Sequence, residues 1–252
     1  MEDLIYNEVI KVIKDYENEE SVTTRWKNPL LAFASCEDEV FEKLKIVANP
    51  LHISPYDINK EGKTVITYFL PFNEDIPNSN IQFRNASEKW AKAYIETNNL
   101  ISKINDNLIE VLENLGYKTK KLPKEMNMDY ENLTSVWSNR HVAYIAGLGT
   151  FGINNMLITE LGCCGRLGNV VTSLYIEPTK RKSKENCLNK AGYNCKKCVD
   201  RCVNGALSLD IFNRVKCFEM CTENGIIFKE LGHAEVCGKC LVELPCSFKN
   251  PI

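Results

Sequence analysis

Nine of the twelve cysteines in this 252-residue chain lie between Cys187 and Cys246, and eight of those fall into two sets of four. The first run is Cys187 followed by Cys195-Lys-Lys-Cys198-Val-Asp-Arg-Cys202. The second is Cys217, then Cys237-Gly-Lys-Cys240, then Cys246 behind Pro245. Each [4Fe–4S] cubane needs four thiolates, and a short Cys-x-x-Cys loop reaches only part of one cubane, so the remaining corner comes from elsewhere in the chain. Where two such motifs cooperate, the last cysteine of one ligates the other cluster. That rule assigns Cys187, Cys195, Cys198 and Cys246 to one cluster, and Cys202, Cys217, Cys237 and Cys240 to the other.

Disulfides and zinc compete for the same residues. Disulfide frameworks belong to exported chains, and nothing here reads as a secretory signal. A structural zinc takes four thiolates at paired Cys-x-x-Cys elements. It leaves the other cysteines unexplained, and a third cysteine placed after Cys198 with three residues between belongs to cluster motifs. The run departs from the usual bacterial ferredoxin pattern, with Val203 in place of proline and Cys187 displaced upstream.

Charge divides the chain. Residues 1–180 carry 19 Lys and Arg against 25 Asp and Glu, while residues 181–252 carry 12 against 8. A cubane with four thiolates has a charge of about −2, so the basic excess reads as counter-charge to two clusters rather than as a nucleic-acid surface. No apolar run approaches the roughly 20 residues of a membrane span. Many thiols without an export signal point to a reducing cytoplasm, as in an anaerobe.

Apolar periodicity predicts a helix over 2–17 and another from Ser35 to about Ala48. Thr64 to Leu70 is β-branched and aromatic and predicts a buried strand. A polar loop over 73–86 precedes the longest helix, with Trp90, Tyr94, Ile104, Leu108 and Leu112 on its stripe up to Gly116. Tyr117 to Leu122 reads as a short strand, and Ser138 caps a helix that ends at Gly147. Strands are expected over 156–159 and 167–176. The basic run after Pro178 marks a boundary between an α/β (α+β) domain, 1–180, and a small cluster-templated domain, 181–252.

Gly147-Leu-Gly149-Thr-Phe-Gly152 fits G-x-G-x-x-G, with Glu177 placed like a ribose-binding acid. That fingerprint must follow a strand and open a helix, whereas the segment before Gly147 reads as helical. The competing reading is a tight glycine turn made for close packing. Cys36, Cys163, Cys164 and Cys221 read first as buried small side chains, with Cys221 an alternative to Cys217 as ligand. His52, His141 and His233 have no metal-spaced partner.

The stretch from Asn139 through Asn155, with Leu157-Ile158 and Gly162-Cys-Cys-Gly-Arg-Leu-Gly168, resembles the core of the epoxyqueuosine reductase family, which is related to the reductive dehalogenases. The resemblance continues through Cys202-Val-Asn-Gly-Ala206, Arg214-Val-Lys-Cys217 and Cys237-Gly-Lys-Cys240. It implies a nitroreductase-like domain that binds base-off cobalamin, followed by a ferredoxin-like domain with two [4Fe–4S] clusters. By position, Arg140, Gly147, Gly149, Gly152 and Asn154 would lie near the corrin. The family's proton-donating aspartate falls at Leu133, so Asp129, Glu131 and His141 become the catalytic candidates. Family members also extend into C-terminal helical repeats that help hold tRNA, whereas this sequence stops at Ile252.

The resulting expectation is a cytoplasmic iron–sulfur oxidoreductase in which a low-potential donor such as ferredoxin or flavodoxin feeds two clusters, and these feed cobalamin. Its substrate would be a small molecule, with tRNA not expected. Two alternatives stand beside it: an electron-transfer or activating partner of a corrinoid protein, and a zinc-stabilised binding module.

Overall fold

The computed structural model describes residues 1–123 and 128–252. In chain order the elements are α1 (Glu2–Glu17), β1 (Leu30–Ser35), α2 (Val40–Val47), α3 (Pro55–Ile58), β2 (Thr64–Pro71), α4 (Asp75–Ser79) and α5 (Glu88–Asn114). They continue with β3 (Thr119–Lys120), β4 (Met128–Asp129), β5 (Thr134–Ser135), α6 (Asn139–Ile145), β6 (Gly149–Phe151), β7 (Leu157–Thr159), β8 (Gly165–Thr172), α7 (Lys197–Asp200) and α8 (Arg214–Ile227).

The main sheet has the order β1-β2-β8-β3, and every pairing is antiparallel. β2 is buried along its whole length, which explains its unbroken run of β-branched and aromatic residues. Alternate residues face opposite layers. Ile66, Tyr68 and Leu70 join the core formed with α1 and α5, while Val65 and Phe69 join the core formed with α2 and α6. The result is a mixed helix–sheet–helix sandwich.

α5 starts where Ser87 accepts the Trp90 amide at 3.1 Å, and the chain turns away at Gly116 with φ of 88°. Its stripe buries Trp90, Leu100, Ile104, Leu108 and Leu112. The C-terminal segment docks on the same layer, for Ala234, Val236 and Val242 are buried in that core.

β8 is paired with β2 throughout, but β3 covers it only at Val171 and Thr172. Among the described residues no strand covers this edge of β8 over 165–169, and this opening positions the polar cavity described below. Four sequence expectations shift. The region before Ser35 is strand β1 rather than a polar break, since Ala32, Phe33 and Ala34 are all buried. The expected helix begins only at Val40. The 73–86 loop contains the turn of helix α4, and the strand expected over 117–122 contracts to two residues.

Candidate functional site

The cysteine-rich segment has little regular structure, and what it does have places thiols. α7 carries Cys198, and α8 carries Cys217 and Cys221 one turn apart. The Cys237–Cys240 loop turns at Gly238, with φ of 70°, and a Cβ there would run into the Trp90 indole. Only glycine combines that backbone with that approach. Asn80 donates to the Cys237 carbonyl at 2.9 Å, fastening the loop to the chain between α4 and α5.

Two cavities result. The smaller is walled by Cys187, Cys195, Cys198 and Cys246. The larger, about 240 Å³, is walled by Cys202, Cys217, Cys237 and Cys240, with Cys221 as a fifth thiol. Between the sets runs an apolar partition that includes Leu207, Leu244 and Ile153. Among the described residues, no three His, Cys, Asp or Glu side chains converge as one metal ion would require. The thiols spread around walls instead.

Burial pushes three of these thiols toward the protonated form: Cys198 rises to about 12, and Cys237 and Cys240 also rise. Cys217 moves the other way. A hydrogen bond with Cys221 lowers it to about 7, against burial and with help from the Arg140 charge, so Cys217 carries the thiolate and Cys221 the proton. At the smaller cavity Cys163 and Cys246 are also hydrogen-bonded, in the opposite sense, for this bond pushes the Cys246 thiol up. Cys163 is buried as the sequence predicts and also touches Cys246, and Cys221, the alternative ligand, pairs with Cys217. Cys221 is also only half-buried, and the i, i+4 spacing from Cys217 was the available signal.

Three cations attend the larger cavity, Arg166 on its wall together with Arg140 and Lys239. Arg140 donates to the Asn155 carbonyl at 2.6 Å and lies near enough for Cys217 and Cys240 to act on its charge. Lys239, inside the Cys237–Cys240 motif, is 1% exposed and donates to the Asn80 and Gln82 carbonyls at 2.8 and 2.7 Å. A buried ammonium between two thiols was missed because lysine ordinarily reads as a surface residue.

The glycine motif follows helix α6 and opens strand β6, the reverse of a dinucleotide fingerprint. Gly147 ends the helix with φ of 86°, and Gly149 lies against the Ile158 carbonyl where a Cβ would clash. Gly152 and Asn154 border the smaller cysteine cavity, and Asn154 also donates to the Cys240 carbonyl at 2.8 Å. Glu177 accepts from the Tyr175 hydroxyl at 2.7 Å.

Asp129, Glu131 and His141 are not brought together at a cavity. The Asp129 carboxylate accepts from the Glu131 and Asn132 amides and from the Asn132 and Asn49 side chains at 3.0–3.2 Å. These bonds, those from Asn132 foremost, hold it ionised below the usual carboxylate range and use it to fix the turn between β4 and β5. Glu131 is exposed. Leu133 closes the same turn at φ of 51°. His141 meets the Ser138 hydroxyl at 2.8 Å and packs on Phe151, and burial, with Arg140 adding, lowers it to about 4. It is neutral at pH 7. His52 accepts the Ser138 amide at 3.1 Å on Nε2 and is structural.

A third cavity, about 620 Å³, opens at the free edge of β8. Asn98, Ser102 and Asn105 of α5, Trp137, Asn139, Asn169 and Gly168 line it, and Leu122, Pro123 and Leu167 add apolar surface. Trp137 donates to Asn169 at 2.7 Å, and Asn169 donates to Asn139 at 2.8 Å. Tyr94 and Arg166 belong to its wall and to that of the larger cysteine cavity. The volume falls within the roughly 300–1,000 Å³ of cofactor and small-molecule sites.

No family model matches the sequence, and no curated protein matches it. Solved structures do. Epoxyqueuosine reductase from Streptococcus thermophilus superposes with a TM-score of 0.58 at 18% identity, covering 98% of this chain and 67% of that one. The Bacillus subtilis enzyme, solved with its catalytic aspartate loop swung out of the active site, gives 0.59 at 16%, covering 96% and 66%. An epoxyqueuosine reductase bound to an epoxyqueuosine-modified tRNA stem loop gives 0.58 at 18%, covering 96% and 64%. The chain spans about two thirds of the length of these structures. Across nearly all its own length, it has the fold of epoxyqueuosine reductase.

Proposed function

We propose that the protein is an iron–sulfur reductase in which two [4Fe–4S] clusters relay single electrons toward cobalamin in the polar cavity, where an unidentified small substrate is reduced. The observation that carries this reading is the grouping of thiols into two adjoining cavities, the larger of which shares Tyr94 and Arg166 with the polar cavity.

The donor sets fit cubanes. Cys187, Cys195, Cys198 and Cys246 would hold one, and Cys202, Cys217, Cys237 and Cys240 the other. Each thiol must lose its proton on ligation, so assembly releases protons and favours neutral to basic conditions. Arg140 and Lys239 lie on the second set only and offset its negative charge. Cys221 stands beside Cys217 as an S–H donor, and hydrogen bonds to cluster sulfur raise reduction potential.

The polar cavity fits a corrinoid better than the glycine loop does. Its amide and hydroxyl side chains match the carboxamide fringe of a corrin, and Trp137, Leu122 and Leu167 offer apolar surface to the ring. Bound there, cobalamin would supply a strongly reducing cobalt. Arg140 and Asn154 have a different role in this reading: they hold the second thiol set against the α/β layer. His233 borders the cavity but lies 3.5 Å from Glu235, consistent with base-off binding without a protein imidazole.

A neighbour's tRNA stem loop raises tRNA as a substrate here. We favour a smaller molecule, because residues 1–180 are net acidic and phosphate-backbone binding draws on basic surface. The electron donor would be a low-potential protein of the ferredoxin or flavodoxin kind.

Anaerobic purification followed by metal and sulfide analysis tests the reading. It requires about eight iron and eight sulfide per chain, and absorption changes when cobalamin is added. Stoichiometric zinc without sulfide would replace it with the zinc-stabilised module.

A further inference from the structure

One half-buried cation borders both the larger cysteine cavity and the polar cavity but has no binding role in the scheme above. Arg166 projects from β8 opposite Leu70, and its guanidinium lies 4.2 Å from the centre of the Tyr94 ring. Its Nε is buried without a hydrogen-bond partner. Arg201 shares that orphaned Nε, but its terminal nitrogens reach Glu243 at 3.0 Å and the Ile81 carbonyl at 2.6 Å. Among the described residues Arg166 has no carboxylate partner, and the interactions that favour its charge come from Tyr94.

Arg166 also borders the larger cysteine cavity, whose wall holds Glu235, but on its polar-cavity side the described surroundings are one-signed. The described wall of the polar cavity holds three basic side chains, Lys121, His233 and Arg166, and no Asp or Glu. Lys121 is already answered by Asp106 at 2.6 Å, and His233 faces Glu235. Arg166 is left, on the wall nearest the second thiol set. A buried guanidinium without an anion is costly, and its planar fork matches a carboxylate or phosphate in two-point contact.

We propose that Arg166 binds an oxyanion, a carboxylate or phosphate group on the molecule that occupies the polar cavity, and so pins that molecule at the wall adjoining the second cluster. The proposal rests on the polar cavity being the reaction site. The oxyanion has two possible owners: a substrate, or the phosphodiester in the nucleotide loop of a corrinoid. Both present the same chemistry to the guanidinium, and they separate experimentally because cobinamide has no nucleotide loop.

Calorimetric titration of anaerobically purified, cluster-loaded protein with inorganic phosphate, benzoate, cobalamin and cobinamide tests this in wild type, Arg166→Gln, and Lys184→Gln as a surface control. The expected result is a loss of about tenfold or more in affinity in Arg166→Gln alone, the loss of a charge-assisted contact. A loss confined to phosphate or benzoate assigns the site to the substrate. A loss for cobalamin but not cobinamide assigns it to the corrinoid.

Thermal unfolding supplies a second readout. Ligand-free Arg166→Gln should melt no lower than wild type, because an unpaired buried charge is removed, while the gain in Tm from whichever ligand binds should vanish. The inference is overturned if all four probes bind Arg166→Gln as they bind wild type. It is overturned too if wild type binds neither phosphate nor benzoate and does not distinguish cobalamin from cobinamide. Iron and sulfide content is read on the same samples. Cluster-free protein would therefore refute the proposed function separately from any result on Arg166.

Discussion

The two cysteine cavities are built from the same kind of loop, yet their surroundings differ in charge. The smaller has Asn154, Ile153 and Leu244 around four thiols, with Lys197 as the one cationic residue among the described residues of its wall. The larger has a fifth thiol, a fully buried Lys239, and the Arg140 charge acting on Cys217 and Cys240. A cluster beside buried cations is easier to reduce than one without them, since the added electron is stabilised where screening is weak. If the proposed clusters occupy these cavities, the contrast would direct electron flow from the first set to the second and on toward the polar cavity.

The largest expected effect tests whether the sets are separate. Cys198→Ser and Cys240→Ser should each lose about four iron, one cubane's worth, and leave the other signal in electron paramagnetic resonance. Loss of both clusters from either variant would break the comparison. Within the second set, Cys217→Ser should lose iron while Cys221→Ser keeps it, because the thiolate resides on Cys217. The opposite pattern would transfer the ligand role to Cys221.

A smaller effect concerns potential. Lys239→Met should lower the second cluster's midpoint by on the order of 60 mV, the one-electron equivalent of a tenfold change in equilibrium, and leave the first unmoved. Equal shifts in both would remove the directional argument. Redox titration followed by electron paramagnetic resonance distinguishes these outcomes.

The smallest effect is a control on pH. His141 titrates at about 4 when folded against 6.5 in the open chain, so the unfolded state binds its proton first. Stability from keeping it neutral is present above pH 6.5 and drains away as pH falls toward 4, by at most about 3 kcal/mol. His141→Gln should flatten that acid limb in denaturant titrations while leaving the difference between cluster potentials intact. An unchanged limb would mean that the ring is not buried neutral.

Much of this architecture was legible in the residues. α1, β2 and α5 follow from periodicity because each buries one face or both, and Gly116 marks the end of α5 by chemistry that is local. The eight-cysteine grouping was legible for a related reason: cluster loops are short, so spacing carries geometry. What escaped was non-local. β1 looked like a break because its partner lies 35 residues away in sequence, at the far end of the β2 ladder. Lys239 and Arg166 are covered by segments more than 70 residues distant, and no pattern around them announces it. The glycine loop misled in another way, since a helix end, a close strand approach and a cavity wall each require a small residue and together imitate a nucleotide motif.

The turn between β4 and β5 stores strain where the fold has least to hold it. Leu133 adopts a backbone conformation that asparagine and aspartate enter far more readily than leucine, at a cost on the order of 1–3 kcal/mol. The turn is thus shaped for a residue other than the one it carries, and Leu133→Asn should stiffen it rather than loosen it.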